Sequence, residues 1–539
     1  MWQHNYTPLG GSIPLSALAA AFPIFVLLAM LAVFRKPSWM AALSGLGAAM
    51  VVALGLYGMP AGMMLSATAY GAAFGLFPIG WIVFWAIVLY RITVDTGKFE
   101  IIKDSIGGLT SDPRLQALLI AFAFAAFIEG AAGFGTPVAV AAAMLTGLGF
   151  TPFQAAAICL VANTAPVAFG SIGTPLVTLQ GITKLPMEEL SGNVGRICAP
   201  LSLFTPAYLM LIMGGPRALA GVWPAAALCG IAFAGAQFYV SNYLGPYLTD
   251  IIGAIASIAV LVALLKVWKP ADKFEGSHTV AAVKHHPASE VFLAWSPYGL
   301  LVIMVLLWGH SDIKAILNQS TMSIPWPGLH NLIQRMPPTV DTPAPYDAKY
   351  TFNLLSASGT SCMIAAILSA MVLRVSPGRF FGIVGAAAMQ LRLSMLTIAS
   401  VLGLAFLMNY CGATATLGMA FAATGAAFPF FSAFLGWLGV FLTGSDTSAN
   451  ALFGNLQVVT AKSLGLSPVL MASSNSAAGV MGKMISLQSI AVACAATGMK
   501  AEDESKLFRF TLRHSIFLAS VLGLLVVAYA YLIPGAVYQ

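Results

Sequence analysis

The residues Glu129-Gly-Ala-Ala-Gly-Phe-Gly-Thr-Pro137 decide the fold of this chain. They interrupt the apolar stretch 115–150, which is too long for one crossing because a bilayer core of about 30 Å needs about 20 helical residues. A second such stretch, 428–464, is interrupted by Gly444-Ser-Asp-Thr447. Backbone groups must stay paired in lipid, so these breaks are tolerated only where they are buried in protein or line a cavity. The two stretches predict two helical hairpins that turn back inside a membrane.

The composition around these stretches excludes a water-soluble protein. Of 539 residues, 59% are hydrophobic and 8% are charged, whereas soluble domains carry about 25% charged residues. Soluble enzymes, nucleic-acid binders and disordered scaffolds are therefore excluded. The sequence predicts an all-α polytopic protein of the lipid bilayer, with about twelve spans plus the two re-entrant hairpins. The runs predicted to span are 12–34, 38–58, 66–90, 152–180, 196–214, 218–240, 246–266, 291–309, 353–373, 382–410, 468–498 and 514–533.

The basic residues orient the two hairpins. No Lys or Arg precedes Arg35, which favours an outer N-terminus, since inner loops carry the excess of Lys and Arg. With that start, 17 of the 23 basic residues between spans fall inside, and this asymmetry holds only if 115–150 opens inward and 428–464 opens outward. The net charge of +7 is thereby assigned to one membrane face rather than to nucleic acid. The exceptions, on the outer side, are Lys184, Arg196, Lys314, Arg335, Lys349 and Lys462.

The two hairpin regions resemble each other, which predicts two inverted-topology repeats. Each hairpin is followed by a span with a polar, Gly-rich stretch, and paired broken helices in inverted halves indicate the binding site of a secondary transporter. The alternative is that these small residues only permit close helix packing. The matching segments are FIEG (127–130) and FLTG (441–444), LGFTP (148–152) and LGLSP (464–468), and NTAPVAFG (163–170) and NSAAGVMG (475–482).

These patterns divide the chain into scaffold and transport parts. The predicted parts are N-terminal scaffold helices (1–114), the first hairpin and broken helix (115–180), scaffold and connecting helices with polar loops 267–290 and 310–352 (181–427), the second hairpin and broken helix (428–498), and a C-terminal span (499–539).

Several long motifs closely resemble those of the bacterial L-lactate permeases, a family that includes glycolate permeases. The resemblance runs essentially from end to end. Its motifs are WQHNYTPLG (2–10), EGAAGFGTPVAVAAA (129–143), NTAPVAFGSIGTP (163–175), FLGWLGVFLTGSDTSANALF (434–453) and GVMGKMISLQSIAVACAATG (479–498).

The resemblance implies symport of a short 2-hydroxymonocarboxylate with a proton across the bacterial inner membrane. L-lactate, D-lactate and glycolate are the implied substrates, with no cofactor, no metal and no enzyme activity. A more distant resemblance to the ion-transporter superfamily implies a homodimer with an elevator-type transport domain. A sodium-coupled carboxylate symporter is the alternative, because small hydroxyl and amide residues at hairpin tips also form sodium sites.

Two acids, Glu129 and Asp446, are predicted to lie deep in the membrane, one at each hairpin tip. They are the only two of the 18 acids placed there. A charge at the bilayer centre costs at least about 2.5–3.5 kcal/mol, so both are candidates for proton coupling. The alternative for each is a structural acid, paired or capping the following half-helix, since Asp is a good N-cap.

Lys483 is the only Lys placed within the predicted spans. It is a candidate to bind the substrate carboxylate, and the alternative is a permanent ion pair with Asp446. The polar residues at matching tips and breaks are candidates for binding the substrate hydroxyl and carboxylate. This set is Asn163, Thr164, Ser445, Asn475 and Ser476.

Other function classes find little support in the sequence. An intramembrane hydrolase using Ser445 and Asp446 lacks a second acid or a His in a comparable span. No HExxH, P-loop or dinucleotide motif indicates a metalloenzyme or an ATPase. A channel is disfavoured because two closed hairpins in inverted repeats suit alternating access.

Overall fold

The structure is a computed structural model that describes residues 1–133, 135–272, 274, 284, 286–340, 342–499 and 501–539, without the side chains of Ala501 and Glu502. Lys273 and Lys500, which the charge pattern places inside, lie outside the described residues.

The described chain is mainly helical. Short π-helical turns interrupt helices at Gly75–Gly80, Ala117–Phe124 and Ala528–Leu532, and 3-10 turns lie at Val167–Phe169, Ala422–Ala427 and Pro534–Ala536. The helices are α1 (Ile13–Ala20), α2 (Phe22–Ala32), α3 (Ser38–Gly55), α4 (Ala61–Phe74), α5 (Trp81–Asp95), α6 (Lys98–Gly107), α7 (Pro113–Gln116), α8 (Ala125–Ala131), α9 (Thr136–Gly147), α10 (Pro152–Ala162), α11 (Gly170–Thr183), α12 (Met187–Tyr243), α13 (Thr249–Val267), α14 (Ala288–Gly309), α15 (Ser311–Asn318), α16 (Ser358–Val372), α17 (Pro377–Cys411), α18 (Ala413–Phe421), α19 (Phe428–Thr443), α20 (Asp446–Leu464), α21 (Pro468–Lys483), α22 (Leu487–Thr497) and α23 (Ala501–Val527).

The lengths of these helices confirm a polytopic membrane protein. Within the described residues, 10 helical segments are long and apolar enough to cross a membrane, or up to 12 if each of two bent pairs counts as one span. The bent pairs are α1 with α2, at 42°, and α10 with the segment Val167–Thr183, at 62°.

Helix α12 contains two of the predicted spans. Its backbone leaves the helical conformation at Gly214 and the following glycine. The two halves lie side by side: the Ser191 hydroxyl in the first donates a hydrogen bond to the Ser241 carbonyl in the second at 2.7 Å. A Cβ atom on Gly230 would lie only 2.1 Å from the Leu203 carbonyl oxygen, so glycine permits this close contact. The predicted pair of antiparallel spans is confirmed.

Both predicted hairpins are present as two helical arms joined by a tight turn. The first arm of the first hairpin, Pro113–Ala131, is wholly buried. The chain then turns through Gly135, which has a left-handed φ of +80°, and α9 packs back against that arm. In the second hairpin, α19 ends at Gly444 with φ +71°, and α20 packs back against α19. Their orientations in the membrane remain predictions.

The broken helix after the first hairpin matches the prediction. Helix α10 ends at Ala162, as the polar stretch 163–170 predicts. The chain then passes through Ser171 and Ile172, which have left-handed φ angles of +46° and +56°, before α11 continues as a regular helix. Such a conformation is strained for a β-branched residue.

The break predicted within 475–482 is wrong. Helix α21 runs through this stretch without interruption, and the break follows it, before α22 begins at Leu487. The glycines of the stretch serve helix packing instead: a Cβ atom on Gly482 would lie 2.2 Å from the Trp437 carbonyl oxygen. The two halves therefore differ at corresponding positions.

The prediction of an entirely α-helical chain is wrong for the N-terminus and the loop 310–352. A three-stranded sheet joins β1 (Trp2–Gln3), β3 (Ile333–Arg335) and β4 (Ala344–Pro345), and β2 (Met322–Pro325) pairs with β5 (Lys349–Phe352). Extended backbone in a structured loop needs partners for its N–H and C=O groups, and these strands provide them.

The N-terminal segment is fastened to the helices beneath it. His4 is buried, and its Nε2 donates to the Tyr410 carbonyl on α17 at 2.8 Å. The Tyr6 carbonyl accepts a hydrogen bond from Thr416 on α18 at 2.8 Å. Helix α18 in turn packs against α20, so the N-terminal segment covers the helices around the second hairpin.

Candidate functional site

A cavity of about 230 Å³, lined by polar and apolar side chains, lies between the tips of the two hairpins and is called the tip cavity below. Both hairpins, both segments after them, and helices α3 and α17 contribute to its walls. Its lining consists of Ser38, Trp39, Glu129, Gly135, Val167, Gly170, Ser171, Thr174, Pro175, Leu393, Ser394, Thr397, Ile398, Thr443, Gly444, Ser445, Asp446, Thr447, Ser448, Lys483, Gln488, Ser489 and Val492.

Glu129 lies at the end of the first arm and faces the tip cavity. Its side chain is 3% exposed, and its Oε2 atom has no hydrogen-bond partner in the described structure. A Cβ atom on Gly170 would lie 2.8 Å from Oε1, so this glycine leaves room for the carboxyl group. The Oε2 atom of Glu129 is therefore buried without a fixed donor.

The first tip and the break after it are held together as one unit. The Ser171 hydroxyl donates a hydrogen bond to the Ala132 carbonyl at 3.0 Å. A Cβ atom on Gly133 would lie 2.0 Å from Ser171 Oγ, so only glycine fits there. Helix α8, which carries Glu129, is thus connected at its end to the break before α11.

Asp446 lies at the second tip in a different environment. Its Oδ2 accepts hydrogen bonds from Ser476 at 2.7 Å and from Asn450 at 3.4 Å, while Oδ1 has no partner in the described residues. The preceding Ser445 caps α20, with its side chain accepting from the Ser448 N–H at 3.2 Å. The Asp446 carboxyl is thus fixed by its neighbours on α20 and α21.

Asn475 and Ser476 belong to the network that holds the second hairpin. The Asn475 amide donates to Asn450 Oδ1 at 2.9 Å and accepts from Gln457 at 3.1 Å. Ser476 accepts from Asn450 at 3.0 Å and donates to Asp446. Both residues are completely buried, and neither lines the tip cavity.

Asn163 and Thr164 also lie behind the tip cavity rather than on its wall. Both are buried, and the Thr164 hydroxyl donates to the Val161 carbonyl at 2.7 Å. Neither polar atom of the Asn163 side chain has a partner in the described structure. Of the five polar candidates from the sequence, only Ser445 lines the cavity.

Lys483 is the one Lys or Arg among the residues that line the tip cavity. It ends α21, and its side chain is 8% exposed. It lies within electrostatic range of Asp446. The described ion pairs, however, include none between these two residues. A permanent ion pair is therefore not what holds the second hairpin, and the ammonium group remains available to an anion.

Sequence reasoning missed several contributors to this region. Thr443 and Gln488 line the cavity but were not among the candidates. Helices α3 and α17 add Trp39 and Thr397, and these two residues lie in no motif. A third acid, Asp250, is also deeply buried, so the prediction of only two such acids is wrong. The sequence could have indicated this buried acid, because Asp250 falls within the predicted span 246–266.

Arg114, expected in an inner loop, is fully buried at the start of the first hairpin. Its guanidinium donates to Asp112 at 2.7 Å and to Asp272 at 2.7 Å. The hydrogen bond from Arg114 holds the pKa of Asp272 below its usual range. This cluster fastens the first hairpin to the segment after α13.

Hairpin tips and an interrupted helix that meet at one cavity inside a helical membrane protein are typical of membrane transporters. Comparison with known proteins gives the family. The chain belongs to the L-lactate permease family, whose sequence model matches residues 16–533. It is a multi-pass protein of the cell membrane.

The relatives match over nearly their whole length. An L-lactate permease of Bacillus subtilis (strain 168) is 47% identical, covering 96% of each chain. The glycolate permease GlcA of Escherichia coli (strain K12) is 43% identical, and an L-lactate permease of the same strain is 42% identical, each covering 99% of both chains. Among solved structures, the Alcanivorax borkumensis YdaH transporter is 12% identical with a TM-score of 0.44, covering 85% of this chain and 86% of that chain.

Proposed function

We propose that the protein is a proton-coupled symporter of L-lactate and related short 2-hydroxymonocarboxylates, including D-lactate and glycolate. The names of its relatives, L-lactate permease and glycolate permease, support this substrate class. The observation that carries the proposal is the lining of the tip cavity, where one cation, Lys483, lies with two buried acids, Glu129 and Asp446.

Lys483 binds the substrate carboxylate in this proposal. Within the part of the chain that the structure describes it forms no ion pair, and a charge-assisted hydrogen bond to a carboxylate is among the strong polar contacts. The Ser445 side chain lines the same wall and is a partner for the 2-hydroxyl group. A cavity of about 230 Å³ equals only several water molecules of about 30 Å³ each, which suits a short acid. Asn163, Thr164, Asn475 and Ser476 support this wall from behind.

Glu129 couples the proton in this proposal. The hairpin parts 115–180 and 428–498 move as an elevator-type transport domain against helices such as α3 and α17. An ionised, unpaired Glu129 would oppose this movement, because a charge entering apolar surroundings costs several kcal/mol. Protonation removes that charge, and bound lactate favours the protonated form by like-charge repulsion. Proton and lactate therefore promote each other's binding, as linkage requires.

The test is Glu129→Gln in proteoliposomes, with Glu188→Gln as the control because Glu188 is exposed on α12. The amide mimics the protonated acid. We therefore expect Glu129→Gln to lose lactate accumulation driven by a pH difference but to retain lactate counterflow between equal pools. The control should accumulate lactate as the unmodified protein does.

Two results would overturn parts of this proposal. If Glu129→Gln still concentrates lactate when a pH difference is imposed, Glu129 does not couple the proton and Asp446 takes that role. If uptake by the unmodified protein requires sodium at constant pH, the proton is not the coupling ion.

A further inference from the structure

Asp250 is a buried acid with no role so far. It lies in the first turn of α13, is 1% exposed, and neither of its carboxyl oxygens has a hydrogen-bond partner in the described structure. Buried polar groups are nearly always hydrogen-bonded, so a fully buried carboxyl without a partner requires an explanation.

Asp250 adjoins the first hairpin directly behind Glu129. Helix α13 packs against α8, and a Cβ atom on Gly130 would lie 2.8 Å from Asp250 Cβ. The two carboxyl groups lie within electrostatic range of each other. Glu129 lines the tip cavity and Asp250 does not, so the pair extends from the cavity wall into the protein.

The titratable side chains recorded near Asp250 among the described residues include no cation. From α8 it faces Glu129, and from α12 it faces the buried Cys198 thiol. The π-helical turn Ala117–Phe124, which also packs against α13, has no titratable residue. An ionised carboxylate buried without a partner is strongly unfavourable, so Asp250 must carry a proton or share one.

Resting on the proposed function, we propose that Asp250 and Glu129 form one proton-binding pair and that Asp250 is its inner member. Two neighbouring carboxyls in a low dielectric do not both ionise, so the empty pair retains one proton. When lactate enters beside Glu129, the proton leaves an Asp250 oxygen and forms an O–H bond on Glu129, and the negative charge moves to Asp250. A second proton from the aqueous side then binds at Glu129, the member that lines the cavity, as the first proton passes back to Asp250, so that both carboxyls are neutral.

This sequence balances charge during the transport cycle. The pair gains one positive charge when it goes from one proton to two, and lactate brings one negative charge. The tip cavity and its surroundings therefore carry the same net charge when empty and when loaded. The retained proton explains how Asp250 stays buried without a partner in either state.

The experiment measures proton uptake on addition of L-lactate to detergent-solubilised protein, with a pH indicator, across a range of pH. Asp250→Asn is compared with Asp312→Asn, an exposed acid of α15. Asp250→Asn leaves one carboxyl where the pair had two, so the singly charged state loses the proton shared between them. We expect the lactate-linked proton uptake of Asp250→Asn to shift to alkaline pH by about one unit or more. Accumulation driven by a pH difference should fall by more than tenfold, and the control should match the unmodified protein.

An unchanged midpoint of proton uptake in folded Asp250→Asn overturns the pair. If that variant does not fold, Gly130→Ala is measured instead, since its methyl group presses on Asp250 Cβ and separates the carboxyls while keeping both. The same alkaline shift supports the pair, and an unchanged midpoint overturns it. Absence of lactate-linked proton uptake in the unmodified protein would instead refute the proposed function itself.

Discussion

The two hairpins present acids at their tips, yet the structure treats these acids differently. Asp446 accepts hydrogen bonds from Ser476 and Asn450, so its position is fixed. Glu129 Oε2 has no such partner, and its nearest neighbours include the glycines at 133 and 170. Matching positions in two sequence-related segments therefore need not have the same chemistry. The proposed function assigns the proton to the first hairpin and the anion to the wall beside the second, and this contrast is what the predictions below test.

The backbone of the two halves shows the same contrast. After the first hairpin, Ser171 and Ile172 adopt left-handed conformations, which cost of order 1–3 kcal/mol each in non-glycine residues. After the second hairpin, α21 is a regular helix packed closely on α19. Strain is concentrated beside Glu129, whereas Asp446 is surrounded by regular helices.

The largest expected effect concerns the opposite orientation of the hairpins, and it is all-or-none. We expect Ser111→Cys and Thr151→Cys, at the two ends of the first hairpin, to react with a membrane-impermeant maleimide only from inside. Thr424→Cys and Ser463→Cys, beside the second hairpin, should react only from outside. All four positions are exposed, and the described native cysteines are all buried. Labelling of the two ends of one hairpin from opposite faces would refute its re-entrant topology.

A change of about tenfold in L-lactate affinity is expected on substitution of Lys483, which lines the cavity beside the second hairpin. Lys483→Gln should weaken L-lactate binding by about tenfold or more, since a hydrogen bond to a charged group is worth roughly 1.5–3 kcal/mol. Lys462→Gln is the matched control, because Lys462 is exposed at the end of α20. Calorimetry measures the affinity. If folded Lys483→Gln binds L-lactate as tightly as the unmodified protein, Lys483 does not bind the substrate carboxylate, and the proposed anion-binding role of the second hairpin is wrong.

The most local expected effect, confined to one surface segment, is a difference in acid sensitivity between the N-terminal segment, which covers the second hairpin, and the Arg114–Asp272 pair at the first. Burial lowers the pKa of His4 to about 4, from 6.5. Between pH 6.5 and 4, His4 is therefore protonated more fully when the N-terminal segment is detached than when it is attached. The attachment weakens as pH falls from 6.5 towards 4, by up to about 3 kcal/mol. The Arg114–Asp272 pair at the first hairpin should persist, because the pKa of Asp272 is lowered below its usual range.

Hydrogen exchange measures this difference. After correction for the intrinsic effect of pH, residues 2–6 should lose protection on acidification while residues 110–116 retain it. His4→Gln should remove the acid step, and His310→Gln, at an exposed position, should leave it in place. Equal loss of protection in both segments would contradict the assignment.

The fold was largely predictable because hydropathy and charge act over long segments. The excess length of 115–150 and 428–464 predicted both hairpins, and the structure shows both. The break within 475–482 was predicted wrongly because glycine serves both helix interruption and close packing. Only the contact of Gly482 with the Trp437 carbonyl distinguishes these uses.

The candidate site was only partly predictable. Glu129, Asp446 and Lys483 stand out because charges are rare in membrane helices, and the structure brings all three to one cavity. Hydroxyl and amide residues carry no such signal, so sequence cannot distinguish a wall residue such as Thr443 from a supporting one such as Asn475. The contribution of α17 depends on helices packed from distant parts of the chain, which no local pattern records.

The shared lining of the tip cavity has a pharmacological consequence. Its polar wall comes from the hairpins, while Trp39 on α3 and Ile398 on α17 belong to the opposite side. In the proposed elevator mechanism, a short acid binds the hairpin side alone and moves with it. A 2-hydroxy acid with a bulky aromatic tail would grip both sides at once, and it would act as a competitive inhibitor that holds the carrier still rather than as cargo.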